Sequence, residues 1–206
     1  MRAAMCDIGR RLWQRGLVGA TEGNISVRLD SRKILCTPTG VSKGHLKPNQ
    51  LVVIDNKGVS LSGGQPSSEI KLHLKILAKR KDCHAVIHAH PPIATGFALA
   101  GENIPDNLMP ESDIVLGSVA MVRFCMPGTE EVPSALEPLV DDYKTFLLSH
   151  HGAATMGKDL EDAYNRMETL ERVAKIYLVS KMLGGPAPMP ESAQEAFRKM
   201  AANPGF

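Results

Sequence analysis

His84-Ala85-Val86-Ile87-His88-Ala89-His90-Pro91-Pro92 is the stretch from which the rest of the chain is best read. Its first seven residues have strand character. The two prolines then stop the strand and open a helix, since a proline ring fixes φ and leaves no N–H for a ladder. Upstream, the Ser62–Ser68 turn leads into a helix with Ser67 or Ser68 as N-cap and Leu72, Leu74 and Leu77 among its apolar residues. Further upstream, Leu51 to Ile54 reads as a short strand and Val59 to Leu61 as another. Asn24–Arg28 and Lys33–Cys36 form a hairpin about Asp30–Ser31. An N-terminal helix carries Ala4, Ile8, Leu12 and Trp13 on one side and ends near Gly16.

Downstream, Ile114 to Phe124 alternates weakly, and a helix near Glu130 to Leu139 follows the Pro127–Gly128 turn. Thr145–Leu148 is a short buried strand. A long helix starts near Asp159 and runs to about Leu183, with Leu160, Ala163, Tyr164, Met167, Leu170, Ala174, Tyr177 and Leu178 on its inner face. Gly184–Pro190 is a linker before a last helix, Glu191 to Ala201. Short strands interrupted by helices predict an α/β fold, a mostly antiparallel sheet flanked by helices. Residues 1–206 read as a single domain, with 190–206 as C-terminal helix and tail.

A net charge of +2 over 206 residues announces no nucleic acid partner. No apolar run approaches the roughly 20 residues of a membrane span. The N-terminus is broken by charges and reads as an amphipathic helix, not a signal peptide. Four scattered cysteines, Cys6, Cys36, Cys83 and Cys125, form no CxxC pair, which fits a reducing cytoplasm.

His88 and His90 lie two apart on a strand and so project from the same face, where they can grip one ion. Imidazole suits zinc, and a catalytic zinc takes three protein ligands and keeps one position open. The third ligand is expected from Ser149-His150-His151-Gly152. Neighbours on extended chain point apart, so only one of His150 and His151 is expected to bind, with Gly152 allowing a sharp turn. The plainer reading of the pair is two hydrogen-bonded histidines on a sheet face. His45, His73 and His84 are expected to be surface or structural residues.

Glu69 opens the helix after Ser67–Ser68, where the helix dipole favours an ionised carboxylate; a simple helix-start acid accounts for it equally well. Three loops rich in small hydroxylic residues and glycine can cradle a phosphate without a P-loop: Thr21-Glu22-Gly23-Asn24, Thr37-Pro38-Thr39-Gly40 and Pro66-Ser67-Ser68. Ordinary turn chemistry explains any one of them alone.

Taken in order, GNISVR (23–28), TPTG (37–40), PSSE (66–69), HAHP (88–91) and HHG (150–152) resemble the class II aldolase/adducin family, on the side of its L-fuculose-1-phosphate aldolase-like members. The resemblance implies a three-layer α/β/α sandwich and a homotetramer with sites between subunits. It implies Zn2+, or another divalent metal, on His88, His90 and His151, with Glu69 as acid/base. It implies phosphate held by Asn24, Thr39, Gly40, Ser67 and Ser68, with Thr21 a weaker match. The implied reaction is cleavage of a phosphorylated ketose, such as L-fuculose 1-phosphate, to dihydroxyacetone phosphate and an aldehyde. The same site can serve an epimerase, a dehydratase or a 3-oxo-acid phosphate decarboxylase; a non-catalytic adducin-like assembly module is the other alternative. The epimerase branch carries Asp where this chain has Glu69. Fuculose phosphate cleavage in the family uses a tyrosine in the segment corresponding to Ile104–Glu111 and another near the C-terminus, and this chain has neither. Glu111 and Asp113 are the acids beside that gap.

Overall fold

The computed structural model describes residues 1–202, apart from the side chains of Arg198, Ala201 and Ala202; residues 203–206 of the expected tail lie outside the described residues. Among the described residues are seven strands: β1 (Asn24–Arg28), β2 (Lys33–Cys36), β3 (Val52–Asp55), β4 (Ala85–Ala89), β5 (Val119–Val122), β6 (Thr145–Leu148) and β7 (Gly152–Gly157). They form one sheet in the order β3-β2-β1-β4-β7-β6-β5, antiparallel throughout except for the parallel β5–β6 pair. The helices are α1 (Arg2–Gln14), α2 (Ile70–Lys79), α3 (Pro92–Ala100), α4 (Glu131–Leu136), α5 (Leu160–Met182) and α6 (Glu191–Ala202).

Alternation along β4 divides the core. Ala85, Ile87 and Ala89 face a cluster built with α1, α3 and α5, including Ile8, Leu12, Phe97, Met167 and Leu170. Val86 faces a second cluster built with α2 and α4, including Leu72, Ile76, Leu136 and Phe146. A sheet buried on both faces between helices is the three-layer arrangement that the family resemblance implies. His88 has the parity of Val86, so the strand directs its ring towards α2.

Strand β7 is the element that sequence patterning passes over. Gly-Ala-Ala-Thr-Met-Gly has little β propensity, yet all six residues are buried between β4 and β6. Close approach explains the composition. A Cβ on Gly157 would stand 2.3 Å from the backbone N of Ala163, and one on Gly152 would stand 2.5 Å from the His90 ring. Small residues let the first turn of α5 and the histidines press against the sheet.

Other expectations shift by a residue or a turn. On α1 the buried side is Met5, Ile8, Gly9 and Leu12, whereas Ala4 and Trp13 are exposed. The helix rests on the Lys43–His45 turn through Gly9, where a Cβ would be 2.5 Å from the Lys43 carbonyl oxygen. Val59–Leu61 makes only a bridge from Ser60 to Ile54 and is not a strand. Helix α4 is shorter than expected, and Leu178 on α5 is exposed while Val173 is buried. Helix α5 starts where expected, and Asp159 caps it, its Oδ1 accepting the Asp162 N–H at 2.8 Å, a contact worth about 1 kcal/mol. All four cysteines are unpaired.

Candidate metal centre

The end of β4 and the start of β7 lie side by side, with His88 paired to Ala154 and Ala89 to Ala153. That pairing carries His151, just before β7, to the mouth of β4 and beside His88 and His90. The three rings form a triangle with centroids 4.7, 4.9 and 5.2 Å apart. One ligand atom from each lies within 4.8 Å of the others. The Nε2 atoms of His88 and His90 are 3.2 Å apart. A tetrahedral ion with metal–nitrogen bonds of about 2.0–2.1 Å separates its donors by about 3.4 Å, so the rings are set for one.

Hydrogen bonds fix which nitrogen faces inward. The His88 Nδ1–H donates to the Ala153 carbonyl at 2.9 Å, and the His90 Nδ1–H donates to Glu22 Oε2 at 2.9 Å. Both Nε2 lone pairs are thereby left to the centre. Burial first, and the neighbouring His88 second, lower the His90 pKa from its ordinary value. The neutral ring is the form that ligates.

Of the two candidates for third ligand, His151 turns inward. His150 is exposed, bonds Ser149 Oγ through Nδ1 at 2.9 Å and lies edge-on to Phe124. The chain reverses at His150 itself, in the left-handed region at φ 57°, and not at Gly152 as expected. Gly152 supplies room instead.

Glu69 closes the triangle. Its Oε1 is 3.0 Å from His151 Nε2 and its Oε2 is 3.3 Å from His88 Nε2. Burial pushes its carboxyl pKa up, but the ring nitrogens of His151 and His88 outweigh burial and hold it well below the usual carboxylate range. The expectation that Ser67 or Ser68 caps α2 is corrected. Glu69 itself occupies the N-cap position, the helix begins at Ile70, and no side chain caps it. The Ser67 hydroxyl accepts the Glu69 N–H at 3.3 Å, and the Glu69 side chain is turned to the histidines instead of its own helix.

Behind Glu69 runs a directed chain of hydrogen bonds. A carboxylate only accepts, so the Asn24 group 2.9 Å from Glu69 Oε2 is the amide nitrogen, which donates. The amide oxygen of Asn24 then accepts from His73 Nε2–H, and His73 Nδ1 accepts from the Ser26 hydroxyl at 2.7 Å. His73, expected to be a surface or structural histidine, is fully buried and structural in this sense. Burial first, then the neighbouring His88, lower its pKa to about 3. The unfolded chain therefore binds more protons than the folded one between the ordinary histidine value and about 3. This contribution to stability is complete above about pH 6.5 and is lost as pH falls towards 3. Between pH 7 and pH 4 the metal-free protein is expected to lose about 3 kcal/mol through this residue. Urea unfolding of the wild type and of His73→Gln at both pH values measures it; equal losses in the two proteins would remove His73 as the cause.

The three hydroxyl-rich loops converge on the same end of the sheet. Thr39 N–H bonds the Gln65 carbonyl at 3.1 Å and Ser67 N–H bonds the Thr37 carbonyl at 3.2 Å, joining the second loop to the third. The first is tied in by the buried Lys43, whose Nζ donates to the carbonyls of Thr21 at 2.7 Å and Val41 at 2.5 Å. Thr21, Thr39, Gly40 and Ser68 are exposed, whereas Ser67 and Asn24 are buried. Open space surrounds Gly40, which sits at φ 69°. Asn24 differs from the rest, since its amide is engaged with Glu69 and His73. Glu111 is exposed, and Asp113 accepts the Asn107 N–H within its own segment. Two residues unmarked by the sequence pattern support the centre, Glu22 through His90 and Lys43 through the Thr21 carbonyl. Glu22 is 68 positions from His90, and Lys43 reads as an ordinary surface lysine, so no spacing rule marks either. A cleft of about 490 Å³ lined by Arg80, Lys158 and Arg166 lies at the opposite ends of β4 and β7 and is separate from the histidines.

Comparison with known proteins fits this geometry. The family described as Class II Aldolase and Adducin N-terminal domain matches residues 3–178. A 3-oxo-tetronate 4-phosphate decarboxylase of Haemophilus influenzae is 34% identical over 177 residues, covering 84% of each chain. An L-fuculose phosphate aldolase of Methanocaldococcus jannaschii is 36% identical over 176 residues, covering 85% of this chain and 94% of its own. Among solved structures, an L-fuculose 1-phosphate aldolase superposes with a TM-score of 0.88 at 28% identity, over 96% of this chain and 94% of that one. From its motifs, its seven-stranded sheet and this match over most of its length, the chain belongs to the class II aldolase and adducin family.

Proposed function

We propose that this chain is a divalent-metal-dependent lyase that breaks the carbon–carbon bond beside a carbonyl in a small phosphorylated sugar acid, releasing carbon dioxide. His88, His90 and His151 would hold the ion, which the imidazole set and spacing suit to zinc. When bound, it supplies Lewis-acid polarisation of the substrate carbonyl. The exposed hydroxyls of Thr39 and Ser68 and the open turn at Gly40 receive the phosphate, with Ser67, Thr21 and Asn24 lining the same end. Glu69 relays to the substrate carbon the proton taken up from solvent as the bond breaks, the general acid–base role. One proton is consumed for each carbon dioxide lost from the 3-oxo acid anion.

The placement of the tyrosines is the observation that carries the choice of leaving group. Aldol cleavage must remove a proton from the hydroxyl of the departing aldehyde, whereas a carboxylate departs as carbon dioxide without one. The chain has three tyrosines. Tyr164 is buried beneath Arg11, Tyr177 stacks on Phe97, and Tyr143 packs against the α2–α4 cluster. None stands at the histidines. Aldol cleavage of a phosphorylated ketose, such as L-fuculose 1-phosphate, is the second reading, favoured by the 36% identity to the Methanocaldococcus aldolase.

A product assay separates the two. The zinc-loaded protein is expected to release carbon dioxide and dihydroxyacetone phosphate from 3-oxo-tetronate 4-phosphate. Release of an aldehyde from L-fuculose 1-phosphate, with no carbon dioxide from the oxo acid, would establish the aldolase instead. We read residues 1–206 as one domain acting in the cytoplasm as a homotetramer. Apolar side chains left exposed, such as Leu99, Phe124, Met126 and Met182, support such an assembly.

A further inference from the structure

We propose that Glu22 is the positioning carboxylate of the metal centre: it locks the His90 ring so that its Nε2 faces the ion and strengthens that ring as a ligand. The assignment rests on the metal reading above. His88 and His90 orient their rings differently. His88 uses a main-chain partner, the Ala153 carbonyl, which the sheet register holds in place. His90 lies one residue beyond β4, and its Nδ1–H goes to a side chain, Glu22 Oε2, at 2.9 Å. A carboxylate behind a ligating imidazole fixes the tautomer and raises the basicity of the nitrogen that faces the metal.

The loop that delivers Glu22 is built for this task. Glu22 Oε1 accepts the Gly19 N–H at 2.5 Å, and Glu22 N–H donates to the Gly19 carbonyl at 3.2 Å. The carboxylate is thus gripped on one oxygen and presents the other to His90. Ala20, inside the loop, is held at φ 28°, a region a residue with a Cβ rarely enters. Such strain persists where surrounding contacts over-determine it. Here Lys43 Nζ fixes the Thr21 carbonyl from below. Glu69 lies on the inward Nε2 side of the rings and Glu22 behind the His90 ring, so two carboxylates accompany three imidazoles that are neutral as ligands.

Zinc affinity measured by competition with a chromogenic chelator tests the assignment. Glu22→Ala is expected to weaken zinc binding about 10- to 100-fold. Glu22→Gln keeps an acceptor for Nδ1–H without the charge and is expected to fall between the alanine variant and the wild type. Nitrogen-15 shifts of His90 in the metal-free protein give a reading independent of activity: the wild type should show the Nδ1–H tautomer, and Glu22→Ala a mixture. A zinc affinity in Glu22→Ala within twofold of a zinc-binding wild type overturns the role of Glu22 and leaves the metal reading intact. A wild type that takes up no zinc overturns both. Should the alanine variant fail to fold, the glutamine variant decides, since it keeps the shape while removing the charge and one of the two accepting oxygens.

Discussion

Glu69→Gln is expected to lower kcat about 10²- to 10⁴-fold, the range that a positioned acid–base group supplies, while the protein keeps its metal. Both carboxylate oxygens of Glu69 point at ring nitrogens, 3.0 Å from His151 and 3.3 Å from His88, so the group stands at the rim of the candidate ion position. Glu22, the other carboxylate of the centre, is turned to the outer nitrogen of His90, whereas Glu69 is turned to inward ones. A residue that merely started α2 would have its side chain free or folded back on the helix N–H groups. Glu69 does neither, and α2 has no side-chain cap as a result. Glutamine has the same shape, and its amide oxygen can still accept from Asn24, so packing and the Ser26–His73–Asn24 chain are preserved. What is lost is the capacity to carry a proton. Steady-state turnover paired with metal analysis is the measurement. Turnover near that of the wild type would take Glu69 out of the chemistry and return it to the plainer reading of a helix-start acid.

The parts of this molecule legible in the sequence are those where a local pattern and a tertiary demand coincide. His88-Ala89-His90 announces itself because strand alternation alone puts both rings on one face. The hairpin Asn24–Cys36 and the amphipathic α5 are legible for the same reason. Strand β7 is not, because its sequence answers to how closely α5 and His90 approach it and not to strand propensity. Which of His150 and His151 turns inward is likewise set by a left-handed residue that only the turn geometry reveals. Glu22, His73 and Lys43 are invisible for a further reason: each acts through a partner 22 or more positions away, and such contacts leave no local period. The family motifs pointed to the candidate centre, and the hydrogen bonds behind it show how its rings and carboxylate are held.

His151→Ala is expected to weaken zinc affinity more than about 100-fold, beyond what loss of an orienting partner costs, and to abolish measurable turnover. Among the three imidazoles His151 is the informative one to remove. His88 is fully buried, and its Nδ1–H ties β4 to the Ala153 carbonyl on β7. An alanine there would open a cavity and leave a buried carbonyl without its donor, so loss of metal would be confounded with loss of structure. His90 is coupled to the Glu22 loop. His151 has 15% of its side chain exposed and contacts Glu69 at 3.0 Å, so truncation removes a ligand and the Glu69 contact without untying a strand. The neighbouring residue provides the control. His150 is exposed and sits in the left-handed region, which asparagine tolerates, so His150→Asn is expected to bind zinc as the wild type does. If His151→Ala retained the zinc affinity of the wild type, the ion would not be held by three imidazoles. If His150→Asn lost it instead, the turn before β7 would have to present the opposite ring to the site. A fall confined to His151 requires the arrangement seen here, in which one reversed residue turns the first histidine of the pair to solvent and the second towards the end of β4.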